Sequence, residues 1–114
     1  MFGAFNLRDG YDQGSFRRSF NAFCDHLEKM GFLRSHRLWR RAYHDGYDTR
    51  FPNAGIVLEM CFHNQKASLD AWDYVENHAE TVRILHMAMN KQVKETHFVL
   101  LQEDKSDEVQ KRQE

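Results

Sequence analysis

The sequence predicts an α+β domain in which a four-stranded antiparallel sheet carries its helices on one face. Three observations predict it. Residues 33–44 and 55–62 read as two strands joined by the turn-rich loop DGYDTRFPNA. On the second of them Ile56, Leu58, Met60 and Phe62 alternate with Val57, Glu59, Cys61 and His63, the period of a strand with two distinct faces. A strand-like run and a helical stripe precede this pair, and a helical region and another strand-like run follow it.

Residues 2–8 (FGAFNLR) form the first short apolar run, closed by the turn pair Asp9-Gly10. Alternation sets Phe5 and Leu7 against Ala4, Asn6 and Arg8. Residues 11–15 are loop, and Asp12 or Ser15 is placed to cap the helix that follows. Phe16, Phe20, Phe23, Leu27 and Met30 recur at spacings of three and four, which is one helical stripe, and Gly31 supplies a left-handed stop. At roughly 2 kcal/mol per large side chain buried, that stripe represents about 10 kcal/mol of gross drive. It must lie on an apolar surface.

The hairpin supplies that surface. Pairing His44 with Gly55 opposes Trp39 to Met60 and Tyr43 to Ile56 on the helix side. Arg37 and Arg41 then share that side and extend outward along an edge. On the reverse side Arg40 meets Glu59, Leu38 meets Cys61 and His36 meets His63. A second helical region begins near Lys66, with Leu69, Trp72, Val75, Ala79, Val82, His86 and Met89 on one stripe. Asn77-His78 is a possible break in it, so one helix or two consecutive ones satisfy the pattern. Residues 94–103 (KETHFVLLQE) are the last strand, with Phe98 and Leu100 against Val99 and Leu101. Residues 104–114 are charged and free of aromatics, the composition of a flexible tail. The expected division is one domain, 1–103, and that tail.

The element order β-α-β-β-α-β is the split βαβ, or ferredoxin-like, arrangement. Its uncovered sheet side is expected to carry Val57, Leu38, Ala42, Val99 and Leu101, too much apolar surface for a wet face. A homodimer through the open sheet face follows. The pattern resembles the dimeric α+β barrel superfamily, which includes antibiotic-biosynthesis monooxygenase-like and EthD-like proteins. The resemblance spans residues 2–103 and rests on three features: element order, the Trp-bearing segment SLDAWDYVENHAE (68–80), and an open face carrying Asn6, Glu59 and His97. It implies a dimeric α/β barrel whose two sheets enclose small cavities, often for an aromatic or polyketide-like compound and in some members for haem. No family-defining catalytic motif is present to transfer, so an uncharacterised branch fits equally.

Several function classes are excluded. A net charge of −1 generates no field toward nucleic acid or an anionic membrane. The RNA-recognition motif shares the element order, yet the third strand here is GIVLEMCF, with Glu59 on the open face. The arginines Arg34, Arg37, Arg40 and Arg41 alternate sides and guard an edge. No apolar run approaches ~18 residues, so a cytoplasmic location with no membrane partner is the expectation. Cys24 and Cys61 form no C-x-x-C, which argues against a disulfide framework or a zinc knuckle.

Seven histidines remain to be explained. His36, His63 and His97 are expected on the sheet's open side with Asn6, Arg40, Glu59 and Cys61. In a functional reading His36, His97 and Glu59 act as acid or base, while Asn6, Arg40, Cys61 and His63 hold an oxygenated ligand. In the plainer reading Arg40 and Glu59 are a cross-strand ion pair and the histidines line a dimer seam. Cys61 is either a nucleophile beside histidine or a small hydrophobe, and Cys24 borders the helix stripe as packing. No H-x-x-x-H or H-E-x-x-H spacing occurs, although His36, His63 and Glu59 could converge through the sheet, and no metal or cofactor is assigned. A haem would need one proximal ligand, for which His97 or His86 could serve, although His86, on the helical stripe, reads as packed core. Tyr47, Arg50 and Phe51 of the long loop either close a cavity mouth or dock on a neighbouring subunit. Two functions compete: a dimer binding a small organic molecule, as a cofactor-independent oxygenase or isomerase would, and a non-catalytic dimeric module.

Overall fold

The computed structural model of the protein describes residues 1–43, 46–47, 50–77 and 80–104. Its elements follow the expected order: β1 (Phe2–Leu7), α1 (Gln13–Lys29), β2 (Leu33–Arg40), β3 (Ile56–Phe62), α2 (Gln65–Asn77), α3 (Glu80–Asn90) and β4 (Val93–Val99). The strands form one sheet in the order β2-β3-β1-β4, with every pair antiparallel. This is the ferredoxin-like topology, its second helix divided in two. Apart from Asp104, the expected tail lies outside the described residues.

Local chemistry explains α1. Asp12 is the N-cap, and its carboxylate accepts from the Ser15 N–H at 2.7 Å. At the other end the Phe32 N–H donates to Leu27 O and the Gly31 N–H to Glu28 O, both at 3.0 Å. That is the Schellman pattern, and Gly31 takes the positive φ of 86° it needs. Met30 caps the helix and is exposed, so it drops out of the predicted stripe. Phe16, Phe20, Phe23 and Leu27 have no exposed surface. They pack on Phe5, Leu33, Ile56, Leu58 and Met60 from the sheet. Gly3 leaves room for the Phe98 ring, which a Cβ at that position would meet at 2.5 Å.

On α2 the small residues Ser68 and Ala71 are buried with Val75, whereas Leu69 faces out, one position round the helix from the predicted stripe. Val82 and Met89 of α3 join the core, and His86 lies half-buried against Phe23. Buried Gln92 ties helix to helix: its amide donates to Ser19 Oγ and Ala88 O, and its carbonyl accepts from Ser15 Oγ.

Two irregularities set which side chains face away from the helices. In β4, Glu95 adopts φ 54° where the β1–β4 register shifts, which marks a bulge. Its extra residue reverses the parity of the strand. Val93 therefore points into the core while His97 and Val99 point to the open side.

The second irregularity is a correction. Gly55 meets Arg41, whose N–H donates to Gly55 O at 2.8 Å, in place of the expected partner His44, which lies outside the described residues. The displacement of three residues is odd, so the β2 side chains from Ser35 to Arg40 change face relative to expectation, while Leu33, beyond a register shift between Leu33 and Ser35, stays in the core. His36 opposes Met60, Leu38 opposes Leu58 and Arg40 opposes Ile56 on the helix side. Arg37 opposes Glu59 and Trp39 opposes Val57 on the open side. The strand ends at Arg40, and the Arg41 guanidinium turns into the loop. It donates to Pro52 O at 2.6 Å and lies 4.6 Å and 4.9 Å from the ring centres of Tyr43 and Phe51. Those contacts, rather than the turn residues alone, fix where the strand stops.

Candidate functional site

The open sheet face presents two rows of side chains, each crossing all four strands. One runs Trp39–Val57–Ala4–His97 and the next Arg37–Glu59–Phe2–Val99. Cys61 stands beyond the second row, opposite Ser35. Trp39 is 47% and Val99 49% exposed, and the Arg37 guanidinium lies 6.0 Å from the Trp39 ring centre. At the Cys61 end, an open cleft of about 860 Å³ runs between His63 at the end of β3 and Leu100 and Leu101 after β4.

The predicted site residues divide between this face and other places. Glu59, Cys61 and His97 share the open face, as expected. Asn6 belongs to the same face, but its amide is engaged: it donates to Asn53 O and accepts from the Gly55 N–H at 2.9 Å. It therefore clamps the β2–β3 loop to the sheet. His63 lies past the end of β3, exposed, at the rim of the cleft. Its backbone N–H reaches Phe32 O, so it does not oppose His36.

Two residues leave the site altogether. Arg40 opposes Ile56 rather than Glu59, so the predicted Arg40–Glu59 pair is replaced in register by Arg37 opposite Glu59. His36 lies on the helix side, its ring edge-on to Phe20 at 5.5 Å and hydrogen-bonded to Glu28 and Asn21 of α1. Leu38 likewise leaves the open face, and Ala42 lies beyond the strand. Trp39 and Phe2 are the additions. The β2 alternation held the signal for Trp39, once the strand is read in its other register.

Cys24 is fully buried in the core, away from the open face. Burial pushes its thiol far above the ordinary range, and the carboxylates of Glu28 and Asp25 add to the effect. Cys61 is half-buried beside the cleft. His86 has its basicity lowered by burial, as expected of a packed core histidine. Among the described residues, no helix is long and apolar enough to cross a membrane.

Fold and open face together define a ferredoxin-like α+β protein with an uncapped sheet. The chain belongs to the family described as "Family of unknown function (DUF6614)", which matches residues 2–114. Among solved structures it is similar to a dimeric protein of unknown function and ferredoxin-like fold from Bacteroides fragilis NCTC 9343. The identity is 16% and the TM-score 0.45, over 84% of this chain and 86% of that one. No curated protein matches.

Proposed function

We propose that the chain acts as a homodimer joined open face to open face, holding a small organic molecule between the sheets. The composition of the two cross-sheet rows supports this most strongly. Trp39 and Val99 are about half exposed in the single chain, with Val57 and Phe2 between them, and Glu59 and His97 stand in the same rows. An apolar sheet face of this kind is unfavourable in water and matches a second copy of itself. The Trp39 and Phe2 rings offer flat apolar surface to an aromatic body. Glu59 and His97 are the groups able to accept or donate a proton, as a cofactor-independent oxygenase or isomerase acting on such a compound requires. Cys61 and the adjoining cleft extend the space at one end. The catalytic set of this reading is Glu59 and His97, without His36.

Native mass spectrometry of the untagged protein tests it. A two-chain ion carrying the mass of a bound organic molecule, acquired during expression or from an added panel of planar aromatic compounds, is expected. Glu59→Gln should weaken retention of that molecule without dissociating the dimer. A two-chain ion of bare mass under every condition supports the non-catalytic module, and a single-chain ion refutes both.

A further inference from the structure

We infer that Asn21, Asp25 and His36 form a site for a divalent transition metal, with Glu28 orienting the histidine. The cluster lies between α1 and β2, on the opposite side of the sheet from the open face. Asn21, Asp25 and Glu28 follow one another at spacings of four and three, so α1 presents them on one face. The register of β2 directs His36 at that face. Its Nδ1 lies 2.8 Å from Glu28 Oε1, and its Nε2 lies 3.2 Å from Asn21 Oδ1 and 4.0 Å from Asp25 Oδ1. The side chain is 16% exposed and braced by the buried Phe20 ring, which fixes its orientation.

The ring therefore faces oxygen on both sides. A neutral imidazole carries one N–H and one lone pair. With the N–H on Nδ1 donating to Glu28, the Nε2 lone pair points at the Asn21 and Asp25 oxygens. That lone pair either accepts from the Asn21 amide, turned so that its NH2 faces the ring, or binds a cation held together with Asp25. The separations suit a cation. Metal–ligand bonds of about 2.0–2.2 Å place tetrahedral N and O ligands about 3.3 Å apart, and 3.2 and 4.0 Å bracket that distance. A carboxylate on the remote ring nitrogen is the usual partner of a ligating histidine, holding its tautomer and raising its basicity. Asp25 is 69% exposed, leaving positions open to water. One imidazole nitrogen with carboxylate and amide oxygens favours a borderline ion such as Zn²⁺ or Co²⁺ over Ca²⁺. The imidazole and both carboxylates each place a ligand atom within 4.8 Å of the others, so Glu28 is also able to swing in as a ligand.

Titrating the untagged full chain with zinc chloride by calorimetry, alongside NMR of the histidine ring nitrogens, tests the site. Binding of one Zn²⁺ per chain is expected, with a large shift of His36 Nε2. His36→Gln should abolish it, and Asp25→Asn and Glu28→Gln should each weaken it about tenfold or more. Asp25→Asn alters an exposed side chain, and an unchanged unfolding midpoint will establish that its fold is intact. Three results would overturn the inference: no zinc uptake, equal uptake in Asp25→Asn and His36→Gln, or an unmoved His36 ring. The last would leave Nε2 engaged by the Asn21 amide alone.

Discussion

The two faces of this sheet are built from alternate residues of the same strands, yet they answer to different constraints. On the covered face Phe5, Leu58 and Met60 are all but inaccessible to solvent, locked under Phe16, Phe20 and Leu27. On the open face, the neighbouring positions Ala4, Val57, Glu59 and Cys61 mix small, apolar, charged and thiol side chains. The covered face is specified by volume, because a close-packed core penalises any change of size. On the open face Trp39 and Val99 are about half exposed, so the described residues do not fix their size by packing. Along β3, size-constrained core positions at Ile56, Leu58 and Met60 thus alternate with the more permissive open-face positions Val57, Glu59 and Cys61.

Paired substitutions sharpen this contrast. Phe20→Ala, on the covered side, should cost about 3–5 kcal/mol in urea unfolding. Trp39→Ala should cost below about 1 kcal/mol when measured in dilute protein, where association does not contribute. A large loss from Trp39→Ala under those conditions would erase the distinction between the faces. The smallest expected effect concerns pH. Burial lowers the basicity of His86 in the fold, so the unfolded chain binds that proton more readily. The contribution of His86 to stability is therefore complete well above the ordinary value of 6.5 and declines as pH falls through it. Comparing unfolding midpoints of the wild type and His86→Met between neutral and mildly acidic pH should show a shallower decline in the variant.

Much of the covered face was legible in the sequence. The α1 stripe and the β3 alternation each offer one apolar set and one polar set, so period alone assigns their faces. β2 does not. Leu38 and Ala42 on one side compete with Trp39 and Tyr43 on the other, and arginines occupy both, so the pattern leaves register to the loop. The loop is long, and its geometry depends on Arg41 reaching Pro52 O, a contact with no sequence signature. The faces of His36 and Arg40 turn on that register. The His97 and Val99 side of β4 agrees with expectation, although the bulge that sets it rests on a glutamate, Glu95, with positive φ that nothing in the sequence marks. Leu69 shows the limit of a stripe drawn to within one residue, since Ser68 beside it takes the buried position.

Sedimentation velocity of the wild type and Val99→Asp, over a range of protein concentrations, bears most directly on the open face. Val99 is half exposed and outside the core, so a carboxylate there leaves the folded chain intact while placing charge in the seam. A wild-type species of two chains, and a folded single chain for Val99→Asp, is the predicted result. A wild type that sediments as one chain at every concentration, or a Val99→Asp dimer as tight as the wild type, would contradict it.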